Sequence, residues 1–589
     1  MVKHPGLWTH LLCTFLVIFT VSSTAQQAAD QVQPEAQIGP VDGGDGRLVI
    51  GEKWMISTAN PHASEAGANV LRAGGNAIDA MVAVQTTLGL TEPQSSGMGG
   101  GGILVYWDSK NTRLTTYDGR ETAPKNVTPK LFLDAEGKTV EFFNAVLSGL
   151  SVGVPGIPKL LHDVHIEHGT KPWADLMDHA IGLAENGFEI SPRMAGLVAR
   201  RAEGLARFET SRAYFLKPDG SAKPAGTLLK NPAYAKTLRA YANEGASAFY
   251  TGVIAQNIVD TVQNVEGSPG FLALGDLAAY EVKERTAVCA PYRGHSVCGA
   301  GPPTSGSIAV GQVLGMIEPF DLESTGPFNP ITWQIIGDAF RLAFADRGRY
   351  VADQDFVPVP VKGLLDPEYL KQRSGLISQG NRLENAVPGT PAFDHALNYG
   401  DDTSREIPST THFVIRDAEG NIVSMTSTIE GAFGSHIMVD GFLLNNQLTD
   451  FSFTTHDQGR PIANAVAPGK RPRSSISPTI VFKDGAPVFA LGSPGGSRII
   501  TYVVKALVAL IDWEMNIQQA FDLPNMTNRF GTFAVEANTR AVELEAPLRE
   551  MGYPTVVIPL NSGLHGIVIH EDRLEGAADR RREGVVIAE

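Results

Sequence analysis

The spacing of hydrophobic and polar positions changes character near residue 410. Upstream, apolar residues recur at helical spacing over 63–73 and 77–90, on either side of a Gly74-Gly75 break. Ile103-Leu104-Val105-Tyr106-Trp107 is an uninterrupted apolar run of strand length and predicts a buried strand. A largely helical stretch is expected over 155–260, with further helices over 335–345 and 367–375. Downstream, 411–416 and 422–429 alternate around Asp417-Ala418-Glu419-Gly420-Asn421, and strands over 479–482 and 488–492 follow. Between the halves, 389–409 is rich in Gly, Pro, Asp, Ser and Thr and has little apolar period. It predicts a long exposed loop, and long loops in compact proteins are usually functional.

Composition narrows the class. The chain has 589 residues, 43% hydrophobic and 19% charged, ample for a large buried core. A net charge of −15 without any basic run argues against nucleic acid or an anionic membrane as partner. Three cysteines are too few for a disulfide-dense scaffold. Lys3 and His4, an apolar run over 11–21 and then Ser23-Thr24-Ala25 read as a cleavable export signal over 1–25. The run is shorter than the roughly 20 residues that span a bilayer, so no membrane anchor is expected. The mature protein is expected in the periplasm or outside the cell, with 26–47 a polar lead-in.

Cys13 falls within that signal, leaving Cys289 and Cys298. A two-residue turn at Arg293-Gly294 places them opposite one another, at Cα separations that suit a disulfide. The alternative is two unrelated buried thiols.

Three motif matches fail on context. Gly97-Met98-Gly99-Gly100-Gly101-Gly102 fits G-x-G-x-x-G, but the strand follows it instead of preceding it, so a close backbone approach is the better reading. Gly149-Leu150-Ser151-Val152-Gly153 fits a nucleophile elbow, yet Val154-Pro155 follows where a helix should open. His162, His165 and His168 match no common zinc spacing and read as a solvated helix face. No metal or cofactor is expected.

Pro408-Ser409-Thr410-Thr411-His412 puts a threonine where the long loop meets a strand. Cleavage between Ser409 and Thr410 would create an N-terminal threonine, carrying a hydroxyl nucleophile and a nearby α-amine base. Pairing Arg416 with Ile422 places Thr410 opposite Thr428.

Several segments together resemble the γ-glutamyltransferases. They are Gly74-Gly75-Asn76-Ala77-Ile78-Asp79-Ala80, 99–102, Arg120-Glu121-Thr122-Ala123-Pro124, Ala345-Asp346-Arg347 and Val361-Lys362-Gly363-Leu364-Leu365 upstream. Downstream they are Thr410-Thr411-His412, 417–421, Leu443-Leu444-Asn445-Asn446-Gln447 with Asp450-Phe451, Lys470-Arg471-Pro472 with Ser474-Ser475, and Gly492-Ser493-Pro494-Gly495-Gly496-Ser497-Arg498. The resemblance implies an α/β N-terminal-nucleophile hydrolase fold, a four-layer αββα sandwich. It implies a precursor split into a large subunit, 26–409, and a small subunit, 410–589, which stay together as a heterodimer. Thr410 would attack a γ-amide carbonyl, Thr428 would orient its hydroxyl, and the Gly495 and Gly496 N–H groups would hold the oxyanion. Arg120, Ser474 and Ser475 would bind the substrate carboxylate, and Glu430, Gln447 and Asp450 its ammonium. The implied partners are glutathione and other γ-glutamyl compounds, with water, amino acids or peptides as acceptors.

Two departures stand out. Many relatives have Asn where Glu430 stands, and a tyrosine-bearing lid where 451–468 has no Tyr. A more open pocket for bulkier acceptors is the expectation. The runner-up activity is a cephalosporin (glutaryl) acylase of the same family, and the alternative from another class is an uncleaved, non-catalytic binding protein.

Overall fold

The computed structural model describes residues 48–395 and 398–589; the expected export signal and lead-in lie outside the described residues. The alternating run after Thr410 folds in the expected register. Thr411–Arg416 pairs antiparallel with Ile422–Thr428, Arg416 facing Ile422 and Thr411 facing Ser427. Asp417 shapes the turn, its Oδ1 accepting from the backbone N–H groups of Glu419 and Asn421. Its Oδ2 accepts from Ala77 N, tying the turn to the helix that opens after Gly74-Gly75.

This hairpin is the centre of a seven-stranded antiparallel sheet. The order is Val585–Ala588, Met55–Thr58, Thr411–Arg416, Ile422–Thr428, Gly101–Asp108, Arg113–Gly119, Lys283–Arg285. A second seven-stranded antiparallel sheet runs Val49–Gly51, Leu574–Ala578, His565–Ile569, Ala486–Gly492, Thr479–Lys483, His295–Gly299, Val288–Tyr292. Met55, Val105, Trp107, Val414, Ile480, Ala490 and Ile567 form the apolar seam between them. Helices Pro61–Arg72 and Ala77–Thr91 cover the outer face of the first sheet, and Gly306–Ile317 and Ile499–Ile511 that of the second. The layers therefore stack helix, sheet, sheet, helix. Both sheets take strands from either side of Thr410, so a cut there divides the chain without dividing the fold.

Several expectations need correction. The 389–409 loop is exposed only in its first part. From Gly400 it turns inward, and Asp402, Ile407 and Ser409 are 3%, 4% and 0% exposed. Its polar residues find protein partners instead of water: Asp402 pairs with Arg473 at 2.9 Å and accepts from Asn464 at 2.9 Å. The helix expected over 335–345 extends over Pro330–Tyr350, because the Ile331 N–H donates to the Asn329 Oδ1 cap and Pro330 suits its first turn. Gly306–Ile317 escaped notice because it is apolar nearly all round and shows no stripe, whereas Ile499–Ile511 keeps a narrow polar side at Thr501, Tyr502 and Lys505 and buries it as well. The three histidines are not a solvated face. His165 lies 3.1 Å from the Lys171 carbonyl and packs against the Trp173 ring at a tilt of 56°, and His168 lies 2.8 Å from the Tyr117 hydroxyl.

Other details agree with the expectations. A Cβ on Gly99 or Gly100 would stand 2.1 Å from the Leu443 or Thr428 carbonyl oxygen, the close approach inferred above. Ser151 Oγ donates to the Val146 and Ser148 carbonyls inside a short 3-10 turn. Arg293 and Gly294 both have positive φ, the two-residue turn places Cys289 opposite Cys298, and their sulfurs are bonded. No helix among the described residues is long and apolar enough to cross a membrane.

Candidate active site

Thr410 sits immediately before the central strand with φ +96°, a left-handed conformation that a β-branched residue normally avoids. Such strain costs about 1–3 kcal/mol and persists only where the surroundings impose it. Here the surroundings are specific. Arg582 Nη1 donates to the Thr410 carbonyl at 2.9 Å, and Ser409 Oγ donates to the Gln94 carbonyl at 2.9 Å. The Gly495 N–H donates to the Ser409 carbonyl at 3.1 Å. That carbonyl belongs to the peptide bond that joins Ser409 to Thr410.

Thr410 Oγ1 donates to Thr428 Oγ1 at 3.1 Å, and the Glu430 N–H donates to the same Thr428 oxygen at 2.8 Å. With its hydrogen directed at Thr428, the Thr410 oxygen keeps its lone pairs free. Gly495 has φ +138° and a Cβ there would meet the Tyr502 ring at 2.8 Å; Gly496 has φ +58° and a Cβ would meet the Ile407 carbonyl at 2.9 Å. Both positions need glycine for conformation and for space.

One pocket is lined by Thr410, Thr428 and Gly496 together with all of the expected substrate-binding residues, Arg120, Glu430, Gln447, Asp450, Ser474 and Ser475. Asn445 anchors the segment that carries Gln447 and Asp450, its Nδ2 donating to the Gly99 and Gly153 carbonyls. Asp450 Oδ2 accepts from Arg120 Nη2 at 2.6 Å and from Gln447 Nε2 at 2.7 Å. Arg120 also donates to the carbonyls of Arg473 and Pro472. Asp450 Oδ1 and Gln447 Oε1 are buried and have no donor among the described residues.

Burial pushes the Asp450 carboxyl up to about 6 against the pull of Arg120. Beside Arg120, burial pushes Glu121 up to about 8, so at neutral pH Asp450 is the carboxylate that balances this guanidinium. Glu430, with φ +78°, accepts from the Ile407 N–H at 2.8 Å and from Asn446 Nδ2 at 2.6 Å. Burial, then the charge of Asp450, raises its carboxyl well above the usual range.

Sequence reasoning missed two residues here. Ser475 Oγ accepts from Arg347 Nη2 at 2.7 Å and donates to Glu406 Oε2 at 2.5 Å, while Arg347 and Glu406 are also directly paired. Arg347 lay inside a recognised motif without a role. An acid four residues before an expected cleavage point was the available signal for Glu406. The segment over 451–468 folds as a small hairpin whose Pro461 carbonyl accepts from Gly400 N, so it rests on the chain leading to Ser409.

Residues 63–589 match the family model for γ-glutamyltranspeptidase. The chain is 36% identical to a glutathione hydrolase proenzyme of Bacillus subtilis (strain 168), covering 98% of each chain. It is 34% identical to the acylase ACY 1 proenzyme of Pseudomonas sp. (strain SE83), covering 91% of this chain and 94% of that one. Among solved structures, a cephalosporin acylase from Bacillus halodurans superposes with a TM-score of 0.82 at 26% identity, covering 94% of this chain and 99% of that one. With its four layers and its central Thr410 hairpin, the chain is an N-terminal-nucleophile hydrolase and belongs to the γ-glutamyltranspeptidase family.

Proposed function

We propose that the chain is an exported proenzyme that cuts itself between Ser409 and Thr410 and then acts as a γ-glutamyltransferase and glutathione hydrolase. The carrying observation is the Ser409 carbonyl held by the Gly495 N–H beside a strained Thr410 whose hydroxyl hydrogen points at Thr428. The Thr410 oxygen adds to that carbonyl, the C–N bond breaks as the Thr410 nitrogen takes a proton, and an ester to Thr410 results. Water hydrolyses the ester, leaving a carboxylate on Ser409 and a free amine on Thr410.

In the processed enzyme that amine takes the hydroxyl proton while Thr410 attacks a γ-glutamyl amide. The Gly495 and Gly496 N–H groups stabilise the oxyanion, and the departing amine leaves protonated. Water, an amino acid or a peptide then accepts the acyl group. Asp450 Oδ1 and Gln447 Oε1 supply unmatched acceptors for the donor ammonium; Arg120, Ser474 and Ser475 take its carboxylate. Departure of Ile407 would free Glu430 to join the ammonium site.

The bacterial acylase relative keeps a second reading open. A glutaryl group has no ammonium and would leave Asp450 Oδ1 unmatched, so γ-glutamyl-p-nitroanilide should be strongly preferred over glutaryl-p-nitroanilide. Equal kcat/KM on the two would transfer the assignment to the acylase. A denaturing gel with N-terminal sequencing of the smaller band should return Thr410-Thr411-His412.

A further inference from the structure

We propose that Arg347, Arg473 and Ser475 form a carboxylate subsite that the Glu406 side chain fills in the uncleaved chain and that the carboxylate of the acyl donor occupies after processing. The inference rests on the cleavage and donor reading above, and it makes the segment ending at Ser409 an internal imitation of the donor.

Three contacts carry the imitation. The Glu406 carboxylate accepts from Ser475 Oγ at 2.5 Å and pairs with Arg347, with Arg473 Nε 4.0 Å away. The Ile407 N–H donates to Glu430 Oε1 at 2.8 Å, in the place assigned to a donor ammonium. The Ser409 carbonyl accepts from the Gly495 N–H at 3.1 Å, in the place assigned to the γ-carbonyl. All three groups lie on the acyl side of the bond that Thr410 attacks, as the γ-glutamyl group does in the donor.

Contacts other than Glu406 also hold the cradle, those of Arg347 from outside the segment that ends at Ser409 and those of Arg473 from residues 402 and 404 within it. Arg347 Nε donates to Ser305 Oγ at 2.7 Å and its guanidinium lies over Phe344. Arg473 is held by Asp402 at 2.9 Å and donates to Ser404 Oγ at 3.1 Å. Burial and the neighbouring Arg473 charge push Arg347 down to about 10, whereas Arg347 and Arg473 together keep the buried Glu406 carboxyl below its ordinary value. Once Glu406 departs, Arg473 retains the Asp402 carboxylate, but Arg347 is left facing hydroxyls. A buried guanidinium without a counter-charge is costly, so the vacated cradle favours an anion. Arg120 has Nε and Nη2 engaged by Asp450 and two carbonyls, which leaves Nη1 for the donor carboxylate, and a second cation at Ser475 adds to that single contact.

Two measurements test the subsite. In the uncleavable Thr410→Ala chain, Glu406→Ala should lower Tm, and acetate, at concentrations on the order of tens of millimolar, should restore it saturably. Chloride at equal ionic strength should not; equal effects of the two salts would overturn the subsite. In the processed enzyme, Arg347→Gln should raise KM for γ-glutamyl-p-nitroanilide at least about tenfold with little change in kcat. Its KM for the analogue whose α-carboxylate is a carboxamide should stay unchanged, and Arg347→Lys should recover part of the loss. Equal KM changes for the two substrates, or none, would also overturn the subsite. If Arg347→Gln blocks processing, the acetate measurement decides. If wild-type enzyme does not turn over γ-glutamyl-p-nitroanilide at all, the donor reading fails while acetate still reports on the cradle.

Discussion

Two buried arginine–carboxylate pairs flank the Thr410 pocket, and they differ in how completely they are satisfied. Arg120–Asp450 joins two segments on opposite sides of the proposed cut, each held in the folded body, and Asp450 Oδ1 is left without a donor. Arg347–Glu406 joins a long helix to the chain just before the cut, and both Glu406 oxygens are engaged. An unmatched buried oxygen marks where a ligand's charge belongs. A fully matched pair on the segment before the proposed cut marks what, on that proposal, leaves first.

The largest effect should come from freezing the second pair in place. Thr410→Ala should remain a single chain on a denaturing gel, with Glu406 still seated, and activity should fall by more than about a thousandfold. Recovery of two fragments with activity would refute Thr410 as the nucleophile.

Breaking the first pair should come next. Asp450→Asn should lower kcat/KM for γ-glutamyl-p-nitroanilide by about 2–5 kcal/mol, roughly thirtyfold to several-thousandfold, and affect glutaryl-p-nitroanilide much less. The same comparison has a pH form. Because burial holds Asp450 up at about 6, acid neutralises it early. Protonation of the Thr410 amine slows both substrates, but below about pH 6 kcat/KM for the γ-glutamyl substrate should fall about tenfold per unit more steeply than for the glutaryl substrate.

Acid should also weaken the fold through groups in neither pair. His412 and His565 are buried on adjoining faces of the two sheets; burial lowers both, His565 to about 4. Between pH 6.5 and about 4 the unfolded chain binds protons that the folded chain refuses. Stability is therefore retained above pH 6.5 and lost as pH falls towards 4, by about 3 kcal/mol for His565 alone. A Tm that stays flat over this window would show that the histidines are compensated elsewhere.

The smallest effect should come from a site remote from both pairs. Cys289→Ser with Cys298→Ser opens a loop with a sequence separation of 9, worth about 2–3 kcal/mol of stability. Tm should fall while kcat/KM on either anilide stays unchanged, and a loss of activity would tie this edge hairpin to the pocket.

Much of the site is local information. Alternation over 411–416, a five-residue turn and the 422–428 strand set the register that brings Thr410 to Thr428, because a period-two pattern across a short turn admits few pairings. A two-residue turn does the same for Cys289 and Cys298. Substrate-binding candidates were legible only as family motifs: nothing in local spacing places Arg120 beside Asp450, 330 residues away.

Tertiary structure alone decided the rest. The polar 400–409 stretch reads as solvent-exposed by composition, and it is buried because Arg473, Asn464, Arg347 and Ser475 meet its side chains inside the fold. Helix Gly306–Ile317 carries no stripe because sheet and helices surround it, and in Ile499–Ile511 even Thr501, Tyr502 and Lys505 are buried. The Gly495 contact to Ser409 spans 86 residues and the Arg347–Glu406 pair 59, and such pairings leave no period along a chain. By itself the sequence determined the Thr410–Thr428 juxtaposition and the short-range hairpins, since turn length and alternation act locally. Which charge fills which pocket was settled only by packing, since burial is what makes an unmatched oxygen or guanidinium costly.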